Sequence, residues 1–81
     1  MPTVHREHGF RLYFYSAEPN EPPHVHVEKA GAAAKLWLKP VAVAKSRGFS
    51  AIELRGIATI VERERDHLLE AWYGFFGAND R

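Results

Sequence analysis

A rigid proline pair followed by strict polar and apolar alternation is the most constraining feature of this chain. The segment reads Glu21-Pro22-Pro23-His24-Val25-His26-Val27-Glu28. Successive residues of a β-strand point to opposite faces, so we expect His24, His26 and Glu28 on one face and the two valines on the other. The prolines fix their own φ angles and bias the residues before them toward extended backbone. The pattern predicts a strand with one titratable face and one apolar face.

Three further segments show the same alternation, and one long segment shows helical periodicity. Residues 10–15, 33–38 and 41–45 alternate like strands, although a short helix is an alternative for the last of these. Ser50 with Glu53 forms a capping box that predicts a helix over residues 51–76. Such a helix is roughly 39 Å long at 1.5 Å per residue. The predicted class is α+β: a small, mainly antiparallel sheet of three to four strands with one long C-terminal helix packed on one face.

Composition limits the class of protein. The 81 residues predict a single domain, 1–81, and contain no cysteine, which excludes disulfides and thiolate metal sites. The start resembles no secretory leader and no long apolar run follows, so we expect a cytoplasmic protein without membrane contact. The net charge of +1 conceals a basic middle, because residues 29–55 hold six basic residues against one acidic residue. That middle favours a phosphate backbone or an acidic protein surface as its partner.

The polar side of the predicted sheet is unusually aromatic. If the helix covers the apolar side, the opposite side carries the candidate binding residues: Arg11, Tyr13, Tyr15, His24, His26, Glu28, Lys35 and Trp37. Aromatic rings with basic residues are typical of RNA or DNA binding surfaces and equally of protein interfaces, including a homodimer. The structural alternative is that the rings pack against one another while their polar ends stay in water.

Two kinds of chemistry are possible for the polar row of the predicted strand that follows the proline pair. His24, His26 and Glu28 are weak candidates for a metal site of a hydrolase, since two imidazoles and a carboxylate suit a first-row metal. His24 or His26 is also a candidate general acid or base for RNA cleavage, because imidazole titrates near neutrality. No nucleophile motif and no phosphate loop accompanies them. We therefore expect neither a resident metal nor another cofactor, and the catalytic residues stay unknown.

Taken in order, the segments Pro-Pro-His24-Val-His26-Val-Glu28, Ala34-Lys35-Leu36-Trp37-Leu38, Gly48-Phe49-Ser50-Ala51 and Leu69-Glu70-Ala71-Trp72 resemble the small bacterial family called domain of unknown function 4160. The resemblance covers nearly the whole chain. It implies a cytoplasmic protein that acts with a cognate small protein from a neighbouring gene, in a toxin–antitoxin-like or regulatory pair. It implies no reaction.

The expected function is that of a non-enzymatic binding component of such a pair. We expect it to engage a protein partner, and RNA or DNA as a second class of ligand, through the face of histidines, aromatic rings and basic residues. The alternatives are a ribonuclease-like toxin that uses His24 or His26, and a metal-dependent hydrolase. The sequence does not decide between toxin and antitoxin.

Overall fold

The computed structural model describes residues 3–15 and 21–76. Its elements are five strands and two helices, which are β1 Thr3–Glu7, β2 Phe10–Tyr13, β3 His24–Lys29, β4 Ala32–Leu38, β5 Val41–Arg47, α1 Ala51–Arg63 and α2 Arg65–Phe76. The strands form one antiparallel sheet in chain order. The predicted α+β class is confirmed, and residues 41–47 form a strand rather than a short helix.

The prediction of three to four strands is wrong, because the segment before Phe10 forms a fifth. β1 pairs with β2 through a two-residue turn at His8 and Gly9, both of which have positive φ angles. The turn at Ala30 and Gly31, which joins β3 to β4, has the same signature. Positive φ at both central residues is the mark of the type I′ turns that close tight hairpins. His-Gly is a rarer form of this turn than Asn-Gly, so the hairpin was missed.

The prediction of one long helix is also wrong, because the helix ends at Arg63 and a second one starts at Arg65. Glu64, between them, has φ −96° and ψ 10°, outside the helical range. The Arg65 side chain donates a 2.8 Å hydrogen bond from Nε to the Leu38 carbonyl at the end of β4. An unbroken helix of about 39 Å would exceed the 35 Å longest dimension of the molecule. The break keeps α2 on the sheet, where Leu68 and Trp72 are buried.

The predicted helix start is confirmed. The Glu53 backbone N–H donates to Ser50 Oγ at 3.1 Å, and the Ser50 N–H donates to Glu53 Oε1 at 2.8 Å. Together these bonds satisfy two of the free donors at the first turn of α1. Among the described residues, no helix combines the length and apolar character needed to cross a membrane.

The apolar side of the sheet and the inner faces of both helices form one core. As predicted, the even residues of β2 and the two valines of β3 face the helices. The largest fully buried apolar side chains include Leu12, Phe14, Val25, Val27, Leu36, Leu38, Ile57, Val61 and Leu68. This core fixes which side of the sheet is left for binding.

Gly48, which follows β5, provides a test of this packing. Its φ is +89°, and a Cβ built there would lie 3.0 Å from Ala32 Cβ and 3.3 Å from Ala32 Cα. Gly31 has a similar φ of +87° but open space around it. We expect Gly31→Ala to lower the free energy of unfolding by about 1–2 kcal/mol through backbone strain alone, and Gly48→Ala to lower it further because the strand backbone cannot move aside. Urea denaturation measures both, and equal losses would contradict the predicted contact.

Candidate functional site

Strand pairing gathers the predicted binding residues on one side of the sheet. Tyr13 pairs with His26, His26 with Lys35, and Lys35 with Lys45, so these side chains form one row across four strands. Neighbouring rows place Arg11 beside Glu28 and His24 beside Trp37. We call this surface the polar face. It comprises Arg6, Arg11, Tyr13, Tyr15, His24, His26, Glu28, Ala33, Lys35, Trp37, Lys45 and Arg47.

Three cations of the polar face were not among the predicted site residues. Arg6 was missed because β1 was missed, and its place follows from pairing with Arg11. Simple alternation would place Lys45 and Arg47 on the same face as Val43, because the three residues are two positions apart. Val43 pairs with the core residue Leu36. An irregularity in the β4–β5 register between Lys35 and Leu36 turns Lys45 and Arg47 to the other side. Simple alternation gives no signal of such a bulge.

Tyr13 is the packed centre of the polar face. Its side chain is buried, with the Arg11 guanidinium 4.3 Å from its ring centroid and the His26 ring stacked at 5.6 Å. Tyr15 meets it edge-on at 5.3 Å, and the two hydroxyls lie 3.4 Å apart. Burial, reinforced by the Tyr15 hydroxyl, raises the pKa of Tyr13. The phenol therefore stays neutral, and its ring, 4% exposed, offers little surface for a ligand to stack on.

Two ion pairs neutralise part of the charge on this surface. Arg11 Nη1 lies 2.8 Å from Glu28 Oε2, and Lys35 Nζ lies 2.5 Å from Glu21 Oε1. Within residues 3–15 and 21–76, Arg6, Lys45 and Arg47 form no ion pair. All three are exposed. The polar face thus divides into cations that hold the sheet and cations that point to solvent.

The unpaired cations border two adjoining hollows. The first has a volume of about 450 Å³ and is lined by residues that include Tyr15, His26, Lys35, Lys45 and Arg47. The second, of about 410 Å³, extends toward Arg6 and Arg11 and shares Arg47 with the first. The small side chain of Ala33 borders both hollows. The geometry suits an extended anionic ligand rather than a fully enclosed small molecule.

Comparison with known proteins decides the family. The family model described as domain of unknown function (DUF4160) matches residues 9–73. This chain belongs to the DUF4160 family. The match contains the Pro-Pro-His-Val-His segment, all of β2 through α1 and α2 as far as Tyr73, but none of β1. No curated protein and no solved structure matches the chain.

The two histidines of this DUF4160 chain occupy different environments. His24 is fully buried, its ring 4.9 Å from Trp72 and 5.7 Å from Trp37. Its Nδ1 lies 2.9 Å from the Pro22 carbonyl, which can only accept, so Nδ1 carries the proton. His26 is 9% exposed and borders the first hollow, with Tyr15 edge-on to its ring at 4.4 Å. Of the two histidines, only His26 borders a hollow that a ligand could occupy.

The described residues bring together one trio with metal-ligand spacing, and it is not the predicted row. His5, Glu7 and Glu64 offer atoms within 4.8 Å of one another. Arg63 pairs with both carboxylates, however, and His5 Nε2 donates to Glu7 at 2.9 Å. These contacts explain the trio as an ion-pair network that ties β1 to the helix junction. The His5 hydrogen bond and then Arg63 lower the pKa of Glu7.

We predict that the burial of Tyr13 is visible in an alkaline titration. Because burial raises the Tyr13 pKa, Tyr13→Phe should leave the phenolate absorbance of the native protein unchanged up to about pH 11, one unit above the usual tyrosine value. In denaturant the phenolate absorbance of the wild-type protein should exceed that of Tyr13→Phe by the contribution of one tyrosine. If the phenolate absorbances of the two native proteins differ by that of one whole tyrosine below that pH, the burial of Tyr13 is contradicted.

The Glu7 network predicts a pH dependence of stability. A lowered carboxyl pKa stabilises the fold above the unfolded value of about 4.3, and that contribution is lost as the pH falls through the folded value. Glu7→Gln should therefore flatten the acid limb of the unfolding free energy, measured by urea denaturation at a series of pH values. Glu62→Gln, an exposed change without an ion pair, is the matched control. Equal acid limbs for both variants would show that the network contributes nothing.

Proposed function

We propose that this protein is a non-enzymatic binding component of a two-gene bacterial module and that its polar face engages an acidic surface of a protein partner. The observation that carries the proposal is the set of three exposed cations on the polar face that form no ion pair with the described residues: Arg6, Lys45 and Arg47. They lie around hollows whose lining carboxylate, Glu28, is already paired with Arg11. Charge complementarity of this kind steers association and selects partners.

The packing of the aromatic rings favours a protein over nucleic acid. Single-stranded RNA or DNA is held by stacking successive bases on exposed aromatic rings. Tyr13 is buried beside Arg11 and His26, and the Trp37 ring packs against Lys35 and His24. Tyr15, 38% exposed, is the large aromatic residue of the polar face with substantial free surface. One such ring beside exposed cations is an ordinary feature of a protein interface.

The environment of the histidines favours binding over catalysis. A ribonuclease needs an imidazole within hydrogen-bonding reach of the reacting hydroxyl or leaving group. His24 has no exposed surface, and the His26 ring is packed by Tyr13 and Tyr15. His26 nevertheless borders the first hollow, which keeps it as a contact residue of the proposed interface.

Charge reversal tests the proposal. The double variant Lys45→Glu with Arg47→Glu should weaken binding to the protein product of the adjacent gene by at least about tenfold, because like charges would face each other across the interface. Titration calorimetry at two salt concentrations measures this, and wild-type binding should fall as salt rises, since screening acts over about 10 Å at 0.1 M.

The matched control is Arg55→Glu, which reverses an exposed cation on α1 away from the polar face. It should bind like the wild type. Equal losses for both variants would indicate a general charge effect rather than a surface. Retained partner binding by the double variant, combined with loss of binding to single-stranded RNA, would overturn the proposal in favour of nucleic acid.

A further inference from the structure

One edge of the sheet is open. β5 is the last strand in the order β1-β2-β3-β4-β5, and its seven residues carry no proline. Residues 42–47 are all exposed. An edge strand presents backbone donors and acceptors that no neighbour satisfies, and such a row is a template for pairing with another chain.

The opposite edge differs because the helix junction holds it. His67 Nε2 lies 3.4 Å from the Val4 carbonyl, and Val4 packs against the core. Arg63 pairs with Glu7 at the end of β1. β1 is also shorter and has its own register shift between Thr3 and His5. β5 is therefore the edge to which a further strand can be added.

The outward backbone groups of β5 follow from the register. The Leu38 N–H donates to the Pro23 carbonyl, so Leu38 directs its backbone groups toward β3. Because antiparallel strands alternate the direction of these groups, Trp37 and Lys35 direct theirs toward β5, where they meet Ala42 and Lys45. The N–H groups of Val43 and Ser46 consequently point away from the sheet. A partner strand would bond to them.

The side chains along this edge specify what that strand should carry. Lys45 and Arg47 lie on the polar face directly beside the open edge, without carboxylate partners in the described residues. Val43 lies on the other face and is 42% exposed. Cross-strand neighbours are about 4.5–5.5 Å apart at Cβ, within reach of an ion pair on one face and an apolar contact on the other.

We propose that β5 binds a partner strand by edge pairing, and that this strand alternates acidic residues, which face Lys45 and Arg47, with apolar residues beside Val43. The inference rests on the proposed function and specifies its mode. A second copy of this chain is a poorer occupant, because pairing of two β5 strands would put both Lys45 side chains and both Arg47 side chains on one face of a continuous sheet. Like charges on an edge strand oppose self-association in this way.

The test uses a labelled synthetic peptide of alternating Glu and Val, with a Lys and Val peptide as control. Fluorescence anisotropy should show binding of the first and not of the second. Hydrogen exchange of the wild-type protein, followed by NMR, should slow at the Val43 and Ser46 amides when the Glu and Val peptide is added. The Lys35 and Trp37 amides serve as internal controls, because they are already directed toward β5.

Ser46→Pro supplies the backbone variant. It removes an outward N–H, which an edge strand tolerates, and should weaken peptide binding at least tenfold. Ser46→Ala keeps the N–H and should bind like the wild type. Circular dichroism checks that both variants fold, and the exchange experiment on the wild-type protein decides the question if Ser46→Pro does not.

The outcomes separate this inference from the proposed function. Failure of the Glu and Val peptide to bind, equal binding of both peptides, or binding without amide protection would overturn edge pairing. Partner binding that Ser46→Pro leaves intact but the double charge reversal abolishes would overturn edge pairing while supporting the proposed function. Protection at Val43 and Ser46 that depends on protein concentration without peptide would instead assign the edge to a second copy of the chain.

Discussion

The position of β3 between β2 and β4 is the constraint on which the rest of the structure depends. Its two valines are fully buried against the helices, while His26 is buried on the other side by Tyr13 and Tyr15, and His24, at the start of the strand, is buried against Trp37 and Trp72. A shift of one residue in either pairing would exchange the two sets and place imidazoles in the apolar core. Burial on both faces therefore locks the register, and the register in turn places every other residue of the polar face.

This arrangement assigns different tasks to chemically similar side chains. Arg11 and Lys35 belong to the internal structure, since each pairs with a carboxylate and lies over an aromatic ring. Lys45 and Arg47, one strand from Lys35 and three from Arg11, have no such partners among residues 3–15 and 21–76. The aromatic row that resembles a ligand platform in the sequence is mainly a packed support for these cations. Under the proposed function, recognition would belong to the rim and edge of the sheet.

Much of the fold was accessible from sequence pattern because its signals are local. The alternation at β3 predicted that strand and the Ser50–Glu53 capping box predicted the start of α1, since both depend on residues a few positions apart. The β1–β2 hairpin was missed because His8-Gly9 is an uncommon turn sequence. The division of the helix was missed because the contact beside it, the hydrogen bond from Arg65 to the Leu38 carbonyl, joins residues distant in sequence. Four predicted site residues, Tyr13, His24, His26 and Lys35, lie on the expected strands but are buried, and of these only His24 lines neither hollow.

The sequence by itself determined the class of fold, the polarity of each central strand and the family, because alternation, capping and motif order are written in neighbouring residues. Only the tertiary structure decided which charges are paired and which are free, because ion pairs such as Arg11–Glu28 and Lys35–Glu21 join residues that are distant in sequence. It also decided that Lys45 and Arg47 belong to the polar face, since a bulge in β5 reverses the parity that simple alternation implies. The candidate surface therefore depends on how strands pair, which no single strand specifies.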